Sequence, residues 1–348
     1  MSSYRTLSLL LCLLLETATS LAQLACRVTG TIKGLGNQNV LFSYQQQGKQ
    51  LTDTVRALND HFTYVAKPSA DGLVRLQVVP GRFTTFWYEP GSVTVAGSIA
   101  DPARFLVLGT AENQVLTTYK QTIEWPFDRH QAAHPDSAQA LTTQRQQRTR
   151  AYIAAHRNAR TSAYLLKWQT LYNPDLLPEY EQLERRLAPA VRASAMGQEL
   201  AKRLVIMRTQ PLPGRQAPAF TIPDTAGVAT SLQSFQGCYV LLDFWGHWCG
   251  PCMKAMPKLK QLQAQYGQHV ALVGIAMEHA GDKHQWQQAI RESGANWTQL
   301  SELNADKGVI EQYNVTAFPT YILLDKQGKV LARGSDLAAM ETKLKALP

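Results

Sequence analysis

The sequence predicts a multidomain chain, with an N-terminal antiparallel β-sandwich-like domain, a middle α-helical segment and a C-terminal α/β domain. In the N-terminal third, short runs rich in Val, Thr, Phe and Tyr alternate with Gly and Pro turn signals, as in antiparallel sheets. The middle third has helical spacing and is rich in Gln and Arg. Further on, an apolar run of strand length leads directly into an apolar helical stripe, which is typical of an α/β unit.

Composition shifts along the 348 residues place the domain boundaries. We predict a β domain over 23–111 and a helical segment over 112–209. Residues 210–214, stiffened by two prolines, form a predicted linker. The α/β domain then covers 215–348.

The first 22 residues have the features of a secretory signal peptide. Arg5 precedes the apolar run Leu7–Leu15, and Ser20-Leu21-Ala22 offers small residues at a cleavage spacing. This run of nine residues is too short to span a bilayer. We therefore predict export to the periplasm or cell envelope.

Two cysteines outside the main motif each have two interpretations. Cys26 follows the predicted cleavage site, so it is either a lipid attachment site or a buried thiol in the first strand. Attachment to the membrane is expected only if Cys26 is lipidated. Cys238, just before a predicted strand, is either a packed or half-exposed thiol or a third redox group.

The positive charge of the chain is concentrated in its middle. Lys and Arg outnumber Asp and Glu by 35 to 26 overall and by 14 to 8 over 120–214. Such a basic helical region is either a solvated face or a surface for nucleic acid or anionic lipid, and we predict no nucleic-acid partner. His130 and His134 have a metal-ligand spacing, but Gln131 stands where a zinc protease has its glutamate, so no metal site is predicted.

Two cysteines lie at a predicted strand-to-helix junction. The apolar run Val240–Trp245 has the length of a buried strand, and Cys249 and Cys252 follow it on the first turn of a helix that reaches Tyr266. Unpaired N–H groups at a helix start stabilise a thiolate, so Cys249 is predicted to be an exposed nucleophile and Cys252 a more buried partner. Half a zinc site and a structural disulfide are the alternatives for such a pair.

The run from Phe244 to Cys252, Phe-Trp-Gly-His-Trp-Cys-Gly-Pro-Cys, resembles the active site of thioredoxins. The surrounding chain resembles the envelope thioredoxins of the TlpA/ResA type, and Phe318-Pro319-Thr320 is similar to their cis-proline loop. This resemblance implies a thioredoxin fold for the C-terminal domain. The opening of the β domain, Val28–Gly34, resembles a domain that precedes thioredoxin domains in Bacteroidota envelope proteins.

The resemblance also implies roles for individual residues. Cys249 attacks a substrate disulfide and Cys252 resolves the mixed disulfide. Asp243 is either the buried acid that takes the proton of Cys252 or a merely structural buried carboxylate. His247 either adds positive potential near Cys249 or is simply exposed. The implied substrate-binding residues are Trp248, Gly250, Pro251, Phe318 and Pro319. No cofactor is expected beyond a redox-active disulfide between Cys249 and Cys252.

The implied function is a thiol:disulfide oxidoreductase that reduces or isomerises disulfides of envelope proteins. Its expected partners are those proteins and a membrane thiol-transfer protein that donates electrons. Ala255 replaces the glutamate typical of the ResA branch, so that branch's specificity for apocytochrome c is not implied. The alternatives are a binding protein whose redox pair serves one dedicated partner, and a thiol peroxidase, although the Pro-x-x-x-Thr-x-x-Cys run of peroxiredoxins is absent.

Overall fold

A computed structural model describes residues 25–133, 136, 138–173, 176–305 and 307–348. Their contacts separate into two compact units, of which the first ends at Leu204 and the second runs from Val205 to Pro348. The predicted signal peptide, 1–22, lies outside the described residues. Within the described ranges, every helix is too short or too polar to cross a membrane.

The first unit begins with a two-sheet β sandwich. Its strands are β1 Cys26–Lys33, β2 Asn39–Gln46, β3 Lys49–Arg56, β4 His61–Ala66, β5 Leu73–Val79, β6 Arg82–Trp87, β7 Gly91–Ser98 and β8 Leu106–Leu108. One sheet has the order β4-β1-β7-β8 and the other β3-β2-β5-β6. The alternating apolar residues of both sheets meet in one buried core, which includes Val28, Phe42, Leu76 and Val93.

The predicted all-antiparallel arrangement is wrong for one of these two sheets. β1 pairs antiparallel with β4 but parallel with β7, in the register Val28↔Val93. Parallel neighbours need a long crossover connection, and here the whole of β2 to β6 lies between β1 and β7 in the sequence. Inward and outward residues alternate along a strand whether its neighbour is parallel or antiparallel. The apolar pattern of β1 therefore could not predict that β7 would pair with it in parallel.

The thiol of Cys26 is fully buried at the start of β1. Burial raises the pKa of this thiol, so the uncharged form is favoured. The prediction of a buried thiol in the first strand is therefore confirmed.

Helices follow the sandwich in the sequence. They are α1 Ala111–Tyr119, α2 Trp125–Ala133, α3 Ala138–Ala155, α4 Arg160–Tyr172, α5 Leu177–Arg186, α6 Pro189–Ala193 and α7 Ala195–Thr209, with a π-helical turn at Lys120–Glu124 between α1 and α2. The predicted helical segment is present. The helices join the sandwich through Trp87, which is fully buried and whose indole Nε1 donates to Thr161 Oγ1 at 2.8 Å.

The second unit is built on a five-stranded sheet with the order β13-β12-β11-β14-β15. Its elements are β9 Thr221–Pro223, β10 Ala229–Ser231, β11 Tyr239–Trp245, α8 Gly250–Tyr266, β12 Val270–Ala276, α9 Lys283–Ser293, β13 Thr298–Leu300, α10 Val309–Gln312, β14 Thr320–Leu324, β15 Val330–Gly334 and α11 Leu337–Lys345. Short 3₁₀ turns occupy Leu232–Phe235 and Ala280–Asp282. The central strand, β11, is parallel to β12 and antiparallel to β14.

All seven residues of β11 are buried, so both faces of the sheet are covered. Tyr239, Leu241 and Trp245 pack into one apolar cluster with both cysteines and with further residues of α8, and we call this side the cysteine face. Val240, Leu242 and Phe244 point to the other side, the opposite face, where they pack in a second cluster. Since neighbouring residues of a strand alternate between faces, Asp243 lies on the cysteine face.

Candidate active site

The cysteine pair lies where the central strand passes into α8. Cys249 is the residue that caps the helix, and its sulfur accepts a hydrogen bond of 3.2 Å from the backbone N–H of Cys252. The two sulfurs are joined in a disulfide. Gly250 and Pro251 between them are exposed, and Pro251 takes a position near the helix start where its missing N–H leaves no helical bond unmade.

Cys249 is more buried than the sequence suggested. Cys249 is 5% exposed and Cys252 is 1% exposed, so the predicted order is right but the prediction of an exposed Cys249 is wrong. The sulfurs are bonded to each other, and the pair packs into the apolar cluster of the cysteine face with Trp245 and Met256. The residual exposure belongs to Cys249, the member that we expect to attack.

Asp243 is an unpaired acid in the interior of the sheet. It is 1% exposed, and neither of its carboxyl oxygens has a hydrogen-bond partner among the described residues. Burial raises the pKa of Asp243 to about 7, because desolvation penalises the charged form. A group with this pKa can both take and return a proton near neutral pH.

His247 is held by a buried glutamate that the sequence analysis missed. One carboxyl oxygen of Glu278 accepts the backbone N–H of His247 at 2.8 Å, and the other contacts the imidazole Nδ1 at 2.6 Å. The Glu278 side chain is fully buried, and that of His247 is 24% exposed, so the interpretation of His247 as simply exposed is wrong. Burial raises the pKa of Glu278 even though both bonds to His247 oppose the shift.

One signal in the sequence could have identified Glu278. It follows the buried strand β12 almost directly, and the carboxyl ends of parallel neighbours such as β11 and β12 lie at the same edge of a sheet. An acidic residue at that place is therefore expected near the loop that follows β11.

The predicted docking residues form an aromatic surface next to the disulfide. Trp248 is 51% exposed, and its ring meets the ring of Phe318 edge-on with centroids 5.4 Å apart. The Trp248 Nε1 group donates to the carbonyl oxygen of Met277 at 3.0 Å, which fixes the indole. The Phe318–Pro319 peptide bond is cis, as predicted.

Cys238 is exposed and lies at the other end of the central strand. β11 begins at the next residue and the cysteine pair follows its last one. Seven residues of strand separate the two ends, which is about 23 Å at 3.3 Å per residue. Cys238 is therefore not a third member of this site.

The described residues contain no group of three potential metal ligands. His134 lies outside the described residues, so the pair formed by His130 and His134 is not tested. The arrangement at the cysteines has the residues of a disulfide exchange centre: two cysteines at a helix start, a buried acid on the same face and an aromatic surface beside them.

Comparison with known proteins agrees with this class of site. Residues 213–333 match the model of the AhpC/TSA family. Thioredoxin-like protein YneN of Bacillus subtilis (strain 168) is 35% identical over 118 residues, which are 34% of this chain and 68% of that protein. Thiol-disulfide oxidoreductase ResA of Bacillus thuringiensis subsp. konkukian (strain 97-27) is 33% identical over 121 residues, which are 34% of this chain and 66% of that ResA. The chain therefore belongs to the thioredoxin-like family of thiol-disulfide oxidoreductases.

A solved structure is also similar to part of the chain. A thiol-disulfide oxidoreductase from Bacteroides fragilis NCTC 9343 is 33% identical and covers 38% of this chain and 100% of its own, with a TM-score of 0.36. The chain spans about two thirds of the length of the curated relatives. Each of these matches covers little more than a third of this chain.

Proposed function

We propose that the protein reduces or isomerises disulfide bonds of other proteins through the dithiol of Cys249 and Cys252. The observation that carries this proposal is the position of the pair at the start of α8, with Asp243 buried on the same face of the sheet. Unpaired N–H groups and the positive end of the helix dipole favour the thiolate of Cys249 over the thiol. No bound cofactor is needed, because the dithiol itself supplies the two electrons and becomes a disulfide.

The reaction begins with the reduced protein. The thiolate of Cys249 attacks one sulfur of the substrate disulfide, and the other substrate sulfur leaves as a thiolate. Cys252 then loses its proton to Asp243, and its thiolate attacks the sulfur of Cys249. The mixed disulfide breaks, the substrate leaves as a dithiol once protonated, and the Cys249–Cys252 disulfide forms.

An extended segment of the substrate would bind beside the cysteines. Trp248, Gly250, Pro251, Phe318 and Pro319 are the residues proposed to form this docking surface. Their exposed or half-buried positions next to the disulfide support the role, because a strand-like peptide can pair with free backbone while its side chains contact the rings.

We place this activity in the periplasm or cell envelope, on the strength of the predicted signal peptide. An oxidising compartment would turn the dithiol into the disulfide, so the proposal includes a membrane thiol-transfer protein that returns two electrons. The complete burial of the Cys26 side chain supports an unlipidated cysteine, since a lipid at that sulfur would have to leave the core. Kinship of the β sandwich with the Bacteroidota domain is also part of this proposal.

The direction of electron flow is tested by the reduction potential of the full chain. Gly-Pro between the cysteines is the dipeptide of thioredoxin, whose potential is about −270 mV. We expect a value in that range, measured by equilibration with glutathione or dithiothreitol buffers. A potential near about −120 mV, that of a strong oxidant, would overturn the reductant assignment.

Substrates are identified by trapping. In Cys252→Ala the second half of the reaction cannot occur, so substrates should accumulate as mixed disulfides on Cys249. The matched control is Cys249→Ala, which should trap nothing and reduce no insulin, whereas Cys238→Ala should behave as the unaltered protein. Loss of trapping when Cys238→Ala is added to Cys252→Ala would instead place the reactive thiol elsewhere.

Simple assays distinguish disulfide reduction from two alternative functions. A thiol peroxidase is considered because the matching family model is named AhpC/TSA, and it would consume peroxide with Cys249 as the oxidised group. A binding protein with a dedicated partner would leave insulin unreduced although Cys249 remained reactive. We expect reduction of insulin and negligible peroxide consumption.

A further inference from the structure

The buried carboxyl group of Asp243 has a polar neighbour on the β14 side of the sheet. β11 pairs Asp243 directly with Tyr321, and side chains of such antiparallel partners stand on one face about 5 Å apart. Tyr321 is 1% exposed. Its hydroxyl, like both carboxyl oxygens of Asp243, has no hydrogen-bond partner among the described residues.

A second polar neighbour comes from the β12 side. There Asp243 pairs with Gly274, which has no side chain, and the amide of Gln299 fills the space. A Cβ atom at residue 274 would clash with Gln299 Oε1 and lie 3.0 Å from its Nε2. Trp245 Nε1 donates to Oε1 at 3.0 Å, which fixes the orientation of the amide. The buried Nε2 group is left without a partner among the described residues.

We propose that Tyr321 and Gln299 are positioning residues that flank Asp243 and hold, through bridging water, the proton path between Cys252 and this carboxyl group. Buried polar groups almost always have partners, and a buried water typically makes about three hydrogen bonds to such groups. Gln299 Nε2 and Tyr321 OH are donors on either side of an acceptor. The inference rests on the proposed function of the cysteine pair.

The two donors act on the proton-transfer step alone. The Sγ–H proton of Cys252 passes through water to Asp243, the Cys252 thiolate attacks Cys249 Sγ, and the leaving substrate sulfur takes a proton from solvent. Asp243 later returns its proton to solvent. Donors directed at a carboxylate favour its charged form, so they oppose burial and keep Asp243 able to accept a proton near neutral pH.

The test separates attack from resolution. The reduced full chain is mixed with an aromatic disulfide reagent whose thiolate is coloured. The first thiolate released reports attack by Cys249, and the second reports resolution by Cys252. Both rates are measured against pH in Tyr321→Phe, which removes only the hydroxyl, and in Gln299→Met, which removes the amide on the other side.

We expect the pH midpoint of the second phase to rise by about one unit in each variant, with resolution up to about tenfold slower below that midpoint. The first phase should not change. Tyr313→Phe is the matched control: Tyr313 is also fully buried, but it belongs to the cluster of the opposite face and its hydroxyl donates to the carbonyl of Pro218. It should lower thermal stability and leave both phases unaltered.

Two results would overturn the inference or its basis. An unchanged second-phase midpoint in both Tyr321→Phe and Gln299→Met would refute the positioning role. Absence of a second phase in the unaltered protein would instead refute the proposed function. If one variant fails to fold, the other tests the same path from the other side of Asp243.

Discussion

The two faces of the five-stranded sheet differ in the polarity of what they bury. On the opposite face, β11 and β14 contribute the apolar side chains Val240, Leu242, Phe244, Ile322 and Leu324. The one polar side chain that these strands add there, Thr320, donates its hydroxyl hydrogen bond to the carbonyl of Ala317 at 2.7 Å. On the cysteine face, the same two strands place Asp243 beside Tyr321. Both faces are closed to solvent. The difference is therefore not one of exposure but of unpaired polar groups.

Two buried tyrosines, one on each face, illustrate this difference. The hydroxyl of Tyr313, on the opposite face, donates a hydrogen bond to the backbone carbonyl oxygen of Pro218. The hydroxyl of Tyr321 has no partner in the part of the chain that the structure describes. An unpaired buried polar group destabilises a fold, and such local violations are expected where function requires them. The opposite face contributes stability, whereas the cysteine face keeps unpaired polar groups where we propose that proton transfer occurs.

The largest effect is expected when the acid itself is neutralised. Burial raises the pKa of Asp243 from 3.8 to about 7, so the folded state holds a proton that the unfolded state loses. The contribution of Asp243 to the free energy of unfolding therefore falls as pH rises between these two values, and it is constant above about pH 7. Asp243→Asn should be more stable than the unaltered protein by up to about 4 kcal/mol at pH 8 and by little at pH 4.

Urea unfolding at both pH values measures this difference, and the insulin assay should show slowed turnover. Asp224→Asn, at an exposed turn in the same unit, is the control. It should change the free energy of unfolding by the same small amount at both pH values. Equal stability of Asp243→Asn and the unaltered protein at pH 8 would mean that the carboxyl group is not desolvated.

The next largest effect concerns the opposite face. Leu242 is fully buried there, so Leu242→Ala should lower the free energy of unfolding by about 3 kcal/mol through lost packing and a cavity. Because this side chain points away from the cysteines, the reduction potential and the pH profile of resolution should not change. A shift in either quantity would contradict the proposal that the opposite face affects stability without affecting the cysteines.

A smaller loss is expected at the edge where β11 and β12 end. Glu278→Ala removes both contacts to His247 and should lower stability by about 2 kcal/mol. Because His247 precedes Cys249 by two residues, alkylation of the reduced Cys249 should change in rate as well. Glu302→Ala is the matched control, since its carboxylate accepts the backbone N–H of Val309 at 2.7 Å in the same unit.

Glu302→Ala should lower stability without affecting alkylation. If the two glutamate variants gave the same alkylation rate, Glu278 would be a structural contact only. Glu278→Gln, which keeps an acceptor for the backbone N–H of His247, should lose less stability than Glu278→Ala.

The smallest effect is expected at the exposed indole. Trp248→Ala removes half of the aromatic pair with Phe318 and should raise the KM for a protein disulfide about fivefold, equivalent to about 1 kcal/mol of docking energy. The rate with a small disulfide reagent should be unchanged, because such a reagent does not need the surface. An equal loss with both substrates would show that Trp248 supports the cysteines rather than the substrate.

Local patterns in the sequence determined much of the second unit. A continuous apolar run predicted the central strand, the apolar stripe predicted the helix that reaches Tyr266, and both are present. The same run placed Asp243 in the interior, because a charged residue between Phe244 and Leu242 cannot avoid burial when both faces of a strand are covered. These features depend on neighbours in the chain, and a single sequence contains that information.

Tertiary structure alone decided which distant residues meet. The parallel pairing of β1 with β7, the contact of Glu278 with His247, and the positions of Tyr321 and Gln299 beside Asp243 all join segments far apart in the sequence. Strand order and register arise from the packing of whole elements, and periodicity within one strand is the same for every partner it could have. The two cysteines and the buried acid could thus be identified from the sequence, whereas the polar groups around them depend on the tertiary structure.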